Sequence, residues 1–369
     1  MQSIGTHVWE LLFSPIKIGS MALPNRFVRS ATNEYLTDKD DFVTDRLSEL
    51  YERLAKGGVG LIITGYAYVR KDGKSSPKQA AIYHDRFIPA YKNLLERLNP
   101  YSSKIVLQIA HGGRQSRPEL CGGTPIGPSP VTDKSTGVTP REMTEEDILD
   151  VIGCFGLAAR RAKEAGFHGV QLHAAHGYLL NQFISPNTNR RRDRWGGSIE
   201  NRARMLLEVL KECRRQVGKR YPVLVKLSSD DCLKGGLRVE EAVEIAKLLD
   251  KEGIDAIEVS GGASRLRVAK TDIDSPKKEA YFSHNAWKIK KSVSVPVICV
   301  GGIRSLEIME GIIREGKADM VSMSRPFIRE PDLVDKFRKG LITQAACISC
   351  NQCFHPKGIR CAQLAKDAP

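Results

Sequence analysis

Eight short apolar runs rich in β-branched residues recur along the chain, each followed by a helical stretch or by a loop and then a helix. The runs are FVRSA ending near Ala31, VGLIITG over 59–65, IVLQIAHGGR with its strand ending near Gln108, GVQLH from Gly169, PVLVKLSS over 222–229, AIEVSGG over 256–262, PVICVGG over 296–302 and ADMVSMSR over 318–325. Helical spacing falls between them. Leu47, Leu50, Tyr51 and Leu54 share one face of Asp45–Lys56, and Thr144 with Asp147 reads as the capping start of a helix that runs to about Lys163 and stops at Gly166. Further helices are expected over Ile199–Val217, Val239–Lys251, Asn285–Lys291, Leu306–Arg314 and Pro331–Phe337. Strands joined through helices must lie parallel, and eight such units close into a TIM (β/α)8 barrel rather than an open doubly wound sheet. No Gly-x-Gly-x-x-Gly turn is present to hold a dinucleotide. The expected organisation is a barrel over 1–343 with loop insertions at Gly112–Pro140 and Ala263–Ser283, followed by a short Cys-rich segment over 344–369.

In such a barrel the residues at the C-terminal strand ends face one pocket, whatever their separation in sequence. Here they are Ser30, Ala31, Thr32 and Asn33; Thr64 and Gly65; Gln108; His173, His176 and Tyr178; Lys226; Gly261 and Gly262; Gly301 and Gly302; and Ser324 and Arg325. The set suits flavin mononucleotide (FMN). Glycines after the seventh strand let backbone N–H groups approach a phosphate, and Arg325 supplies a two-pronged cation to it. Gln108 carries the donor and acceptor that a flavin pyrimidine edge needs. Lys226 brings positive charge to the part of the ring that becomes anionic on reduction.

The densest stretch is GVQLHAAHGYLLNQFISPNTNRRRDRWGGSIENRAR, from Gly169 to Arg204. His173, His176 and Tyr178 follow the end of the fourth strand, with Phe183, Pro186 and RDRWGGS behind them. This pattern resembles the old yellow enzyme family of flavin-dependent ene-reductases, and the resemblance extends over nearly the whole chain. It implies an FMN-binding TIM barrel that reduces an activated C=C bond of an α,β-unsaturated carbonyl or enoyl compound. His173 and His176 would then hydrogen-bond the substrate carbonyl oxygen while Tyr178 protonates the α carbon. It also implies that Ser30–Asn33 and Gln108 contact the flavin, that Gly65 leaves space beside the ring, and that Gly301, Gly302, Ser324 and Arg325 hold its phosphate. Two positions depart from the family: Asn33 stands where Thr or Cys is usual, and Lys226 where Arg is usual.

The last 23 residues hold Cys347, Cys350, Cys353 and Cys361, spaced by two, two and seven residues. The other five cysteines are scattered. Clustered cysteines in a chain without a secretion signal read as metal ligands before disulfides, either for a [4Fe–4S] cluster or for zinc. The segment resembles the cluster-binding part of the dienoyl-CoA reductase and trimethylamine dehydrogenase branch, though its last gap is shorter. A cluster would bring electrons from an external donor; without one, NADH or NADPH must reduce the flavin directly.

A net charge of +14 raises the question of nucleic acid, but the cations are dispersed and the one dense run, Arg190–Arg194, contains Asp193. A dihydrouridine synthase-like barrel would need a cysteine at the barrel mouth and an RNA-binding helical domain, and neither is evident. An amine dehydrogenase of the related branch is the alternative within the same chemistry. No apolar run is long enough to span a bilayer and MQSIGTHVWELLF lacks a basic start, so a cytoplasmic enzyme is expected. Its partners are a small-molecule substrate and a nicotinamide or external electron donor, with neither nucleic acid nor membrane; a homo-oligomer is left open. The loops Cys121–Thr139 and Arg265–Tyr281 are expected to select the substrate.

Overall fold

A computed structural model of the chain describes residues 9–263, 269–355 and 357–364. The strands β1 (Phe27–Arg29), β2 (Leu61–Ile63), β3 (Lys104–Ala110), β4 (Gly169–Ala174), β5 (Val223–Ser228), β6 (Ala256–Ser260), β7 (Val297–Val300) and β8 (Met320–Met323) are all parallel. Each pairs with the next, and β8 pairs with β1, so the sheet closes into an eight-stranded barrel. Each of these strands overlaps an apolar run anticipated above, though β3 runs on to Ala110, past the expected end near Gln108, and β4 to Ala174.

Helices alternate with the strands: α1 (Asp45–Lys56), α2 (Ile88–Glu96), α3 (Glu145–Ala165), α4 (Ile199–Val217), α5 (Val239–Lys251), α6 (Ser283–Lys290), α7 (Leu306–Arg314) and α8 (Leu333–Arg338). The start of α3 is a reciprocal capping box between Thr144 and Asp147, and Gly166 closes the helix in the left-handed conformation. Helices α6 and α8 differ from the expected bounds by one or two residues at each end, where terminal turns fray. Among the described residues no helix is long and apolar enough to cross a membrane.

Several elements were not anticipated, among them helix α2, the short helix Leu179–Ile184 and an antiparallel hairpin, Ile16–Ile18 with Met21–Leu23, that precedes the barrel. Its Ile18, Met21 and Leu23 join Val28, Leu61, Ile63, Val106, Leu224, Ala256, Ile298 and Met320 in one buried cluster. The hairpin therefore plugs the N-terminal end of the barrel with hydrocarbon. Two residues further along the strands, on the same inward face, the side chains become polar: Ser30 follows Val28, Lys226 follows Leu224, Glu258 follows Ala256 and Ser322 follows Met320. The barrel thus has an apolar floor and a charged, hydrogen-bonding upper layer, which faces the site.

Candidate active site at the C-terminal end of the barrel

A cavity of about 410 Å3 opens at the C-terminal strand ends, lined by Ser30, Ala31, Thr32, Asn33, Gln108, His173, His176, Tyr178, Lys226, Gly301, Gly302, Ser324 and Arg325. Of the strand-end residues expected to face the pocket, Thr64, Gly65, Gly261 and Gly262 are not in the lining. The Gly65 N–H donates to Glu34 Oε1 (3.0 Å) and Tyr51 Oη (2.9 Å), and a Cβ there would fall 2.0 Å from Glu34 Oε2. Glycine at 65 therefore accommodates the buried Arg29–Glu34–Tyr51 cluster. The lining also includes residues the motifs did not single out, notably Tyr66, Ser260, Tyr281, Arg304 and, from the Cys-rich segment, Ser349 and Phe354.

Beneath the cavity floor lies a buried carboxylate. Glu258 accepts hydrogen bonds from Ser30 Oγ (2.7 Å), Ser322 Oγ (2.8 Å), Lys226 Nζ (3.2 Å) and Gln171 Nε2 (2.9 Å). Burial alone would raise its pKa, but Lys226 and the neutral donors together hold it below the usual carboxylate range. Lys226 also donates to Ser30 Oγ at 2.6 Å, and Gln171 Oε1 accepts one amide N–H of Gln108 at 2.7 Å. Lys226 and Gln108 are thus held in place from below, with the second N–H and the carbonyl oxygen of Gln108 left for whatever fills the cavity.

His173 lies one residue before the end of β4, and His176 follows in the left-handed conformation (φ 63°), as does Gly177 (φ 77°). A side chain at 177 would meet Ala263 O at 2.2 Å, so only glycine continues the turn. The strained His176 is fixed by its N–H to Ser228 Oγ (3.2 Å) and by Nε2 to Ser260 Oγ (2.7 Å). The turn brings the ring centroids of His173 and His176 within 5.2 Å, and those of His173 and Tyr178 within 4.6 Å. His173 Nδ1 is buried with no hydrogen-bond partner among the described residues. Burial, and then the charge of Lys226, depresses the pKa of His173 well below the ordinary imidazole value; His176 is depressed by burial, by His173 and by Lys226. Both rings are neutral at physiological pH.

At the opposite end Arg325 follows β8. Its Nη1 donates to Lys270 O (2.8 Å), Ser349 O (3.1 Å) and Asn351 Oδ1 (2.5 Å). Its Nε and Nη2 make no hydrogen bond among the described residues. Gly302 (φ 70°) lies against Tyr281, whose ring carbon would be 2.8 Å from a Cβ at 302.

The sequence matches the profile of the NADH:flavin oxidoreductase / NADH oxidase family over residues 11–344. The chain belongs to this family. It is 37% identical over 344 residues to a metal reductase of Desulforamulus reducens, covering 93% of this chain and 51% of that protein. It is 34% identical over 367 residues to a cinnamate reductase of Clostridium sporogenes, covering 93% and 55%. Among solved structures, a 2-naphthoyl-CoA reductase in complex with 2-naphthoyl-CoA superposes with a TM-score of 0.88 at 32% identity, covering 94% of this chain and 55% of that one. The chain spans about half the length of these relatives. Family membership settles the old yellow enzyme resemblance and implies FMN and a nicotinamide. The cavity fits that cofactor in its chemistry: cations at Lys226 and Arg325, a free amide edge at Gln108, and the orphaned His173 Nδ1.

The C-terminal cysteines stand differently. All four are unpaired. Burial, and then the neighbouring Cys347, Cys361 and Cys350 thiols, push Cys353 up to about 12, so the four lie within electrostatic range of one another. Yet among the described residues no group of three or more His, Cys, Asp or Glu side chains is arranged to hold a metal ion. The chain path explains this, because other contacts hold the segment. Arg325 ties down Ser349 and Asn351, both left-handed (φ 57°), Ile359 N donates to Glu34 O (2.8 Å), and Arg329 and Gln363 approach Cys361 Sγ and Cys350 Sγ at 3.8 Å. The expected iron–sulfur or zinc site is not supported by this arrangement, and no chemical step below runs through one. The segment contributes to the cavity wall instead. Of the two loops expected to select substrate, Cys121–Thr139 is described, whereas residues 265–268 of Arg265–Tyr281 lie outside the described residues.

Proposed function

We propose that this chain is an FMN-dependent ene-reductase that reduces a C=C bond conjugated to a carbonyl group, with electrons from NADH or NADPH. The observation that carries the reading is the grouping of two neutral imidazoles and a tyrosine hydroxyl in the lining of one cavity that also presents Lys226, Arg304 and Arg325. Gln108, Lys226 and Arg325 would hold FMN in the cavity, and the flavin would there supply hydride chemistry toward the β carbon. His173 and His176 hold the substrate carbonyl oxygen as neutral donors, His176 through the ring nitrogen that does not meet Ser260 Oγ. As negative charge develops on that oxygen the same donors stabilise it, and because they are fixed in a buried site they do so without reorganisation. Tyr178 gives its proton to the α carbon, so hydride and proton together complete a two-electron reduction. The substrates in the names of two relatives, cinnamate and 2-naphthoyl-CoA, both carry a carbonyl conjugated to a carbon–carbon π system.

The test is anaerobic titration of the purified protein. A bound flavin bleached by NADH or NADPH and recoloured by 2-cyclohexenone, with Tyr178→Phe slowing product formation by about 10²-fold, is the expected result. Flavin reduced by a secondary amine but not reoxidised by the enone would favour the amine dehydrogenase reading. Absence of bound flavin after reconstitution would overturn both.

A further inference from the structure

Tyr178 is nearly closed off from solvent, at 6% exposure, so direct reprotonation by bulk water is hindered and a relay through a neighbouring group is favoured. Its hydroxyl lies 2.9 Å from that of Tyr66, and the ring centroids are 5.1 Å apart. Tyr66 comes from the turn after β2 and also lines the cavity, and its side chain is half-buried rather than buried. Asn33 approaches the same oxygen: its Nδ2 lies 3.4 Å from Tyr66 Oη and 2.9 Å from Ser76 Oγ, while its Oδ1 accepts from Tyr35 N. Asn33 is thereby fixed with an N–H directed at Tyr66.

We propose that Tyr66 is the proton-supplying partner of Tyr178. The inference rests on the reading of Tyr178 as the proton donor. After Tyr178 O–H gives its proton to the α carbon, Tyr66 O–H passes its own proton across the 2.9 Å contact to the Tyr178 phenolate. The charge moves to Tyr66, where the Asn33 N–H stabilises it until water reprotonates the half-buried hydroxyl. One proton enters from solvent for each proton delivered to product, and no oxidant or reductant is consumed. A hydroxyl donating to a phenolate is a charge-assisted hydrogen bond, among the stronger ones available in a protein. The departure at position 33 then has a chemical role, since Asn directs at Tyr66 a donor that a Thr or Cys side chain is too short to match.

Tyr66→Phe removes the hydroxyl and keeps the ring contacts. FMN-loaded protein, chemically reduced so that the nicotinamide step is bypassed, is mixed with 2-cyclohexenone, and saturated product from a single turnover is quantified in H2O and in D2O. The expected result is a loss of about tenfold or more for Tyr66→Phe with an enlarged solvent isotope effect, and flavin binding retained. Placed on Tyr178→Phe, the same change is expected to cost nothing further, because Tyr66 acts through Tyr178. Wild-type rates for Tyr66→Phe, or equal losses in the two backgrounds, overturn the inference. A wild-type rate for Tyr178→Phe overturns the proton-donor reading itself, and the two failures are therefore distinguishable.

Discussion

The Lys226–Glu258 pair sets the electrostatics of the site, and it can be tested without cofactor or substrate. The side chains are 3% and 0% exposed, with Nζ and Oε1 3.2 Å apart. Changing Glu258 to Gln leaves Lys226 with Ser30 as its remaining hydrogen-bond partner in a buried setting, and turns an amide N–H or a neutral oxygen toward two serine hydroxyls oriented for a carboxylate. Breaking a buried pair from one side costs about 3–5 kcal/mol, chiefly because an uncompensated charge is left behind. With about 2.1 cal/mol/K of unfolding entropy per residue, the 369-residue chain has an unfolding entropy of about 0.8 kcal/mol/K, so Tm should fall by about 4–6 °C. Lys226→Met should do similar damage by stranding Glu258. The double variant strands neither charge and should lose clearly less than the sum of the two, with a coupling of at least about 2 kcal/mol. Differential scanning calorimetry on the four cofactor-free proteins at pH 7 supplies the cycle. Additive losses, or single-variant shifts under about 1 °C, would refute the description of these residues as one buried ionic unit.

Three further outcomes follow from individual groups. Because the pKa values of His173 and His176 are depressed in the folded protein, the unfolded chain takes up protons below about pH 6.5 that the fold refuses; their contribution is full above that pH and stability falls as the pH is lowered, which calorimetry from pH 8 to 5 checks against a His173→Asn variant. The single-turnover rate with 2-cyclohexenone should accordingly show no step at the ordinary imidazole pKa. Asp147, held down to about 2 by Arg141 and by the Thr144 hydroxyl and backbone, stabilises the start of α3 above the ordinary carboxylate pKa and loses that effect as pH falls toward 2; because the pair lies at the protein surface, conversion to Asn should cost only about 0.5 kcal/mol, readable in urea denaturation at pH 7.

How much of this was legible before the structure depends on how local each signal is. The eight strands could be read because short, largely apolar and β-branched segments recur between helical stretches at the spacing of repeated crossover units, and Thr144–Asp147 and Gly166 could be read because caps are written within four residues. The hairpin over 16–23 was not legible: two three-residue strands carry too little alternation to register. The histidine–tyrosine group could be read because one turn delivers all three. The Glu258 network could not, since a lone carboxylate inside AIEVS resembles an outward-facing residue until its register is known. The usable signal was weak but present: Lys226 and Glu258 are opposite charges at paired positions on neighbouring strands, and a parallel barrel puts such positions on one face.

Arg325 and the cysteines show the limit from the other side. Their chemistry was plain from residue type, but whether four thiols converge on an ion, and whether a guanidinium faces a phosphate or a backbone carbonyl, depends on the path of a loop. Left-handed Ser349 and Asn351 set that path, neither of which is a glycine that would have announced it. Arg325 consequently serves both the cavity and the segment that closes it, with Nη1 committed to Lys270, Ser349 and Asn351 and its other nitrogens facing no acceptor among the described residues. An anion bound at those nitrogens would therefore hold the same side chain that anchors the Cys-rich segment, which makes order in residues 349–351 and occupancy of the cavity two readings of one guanidinium.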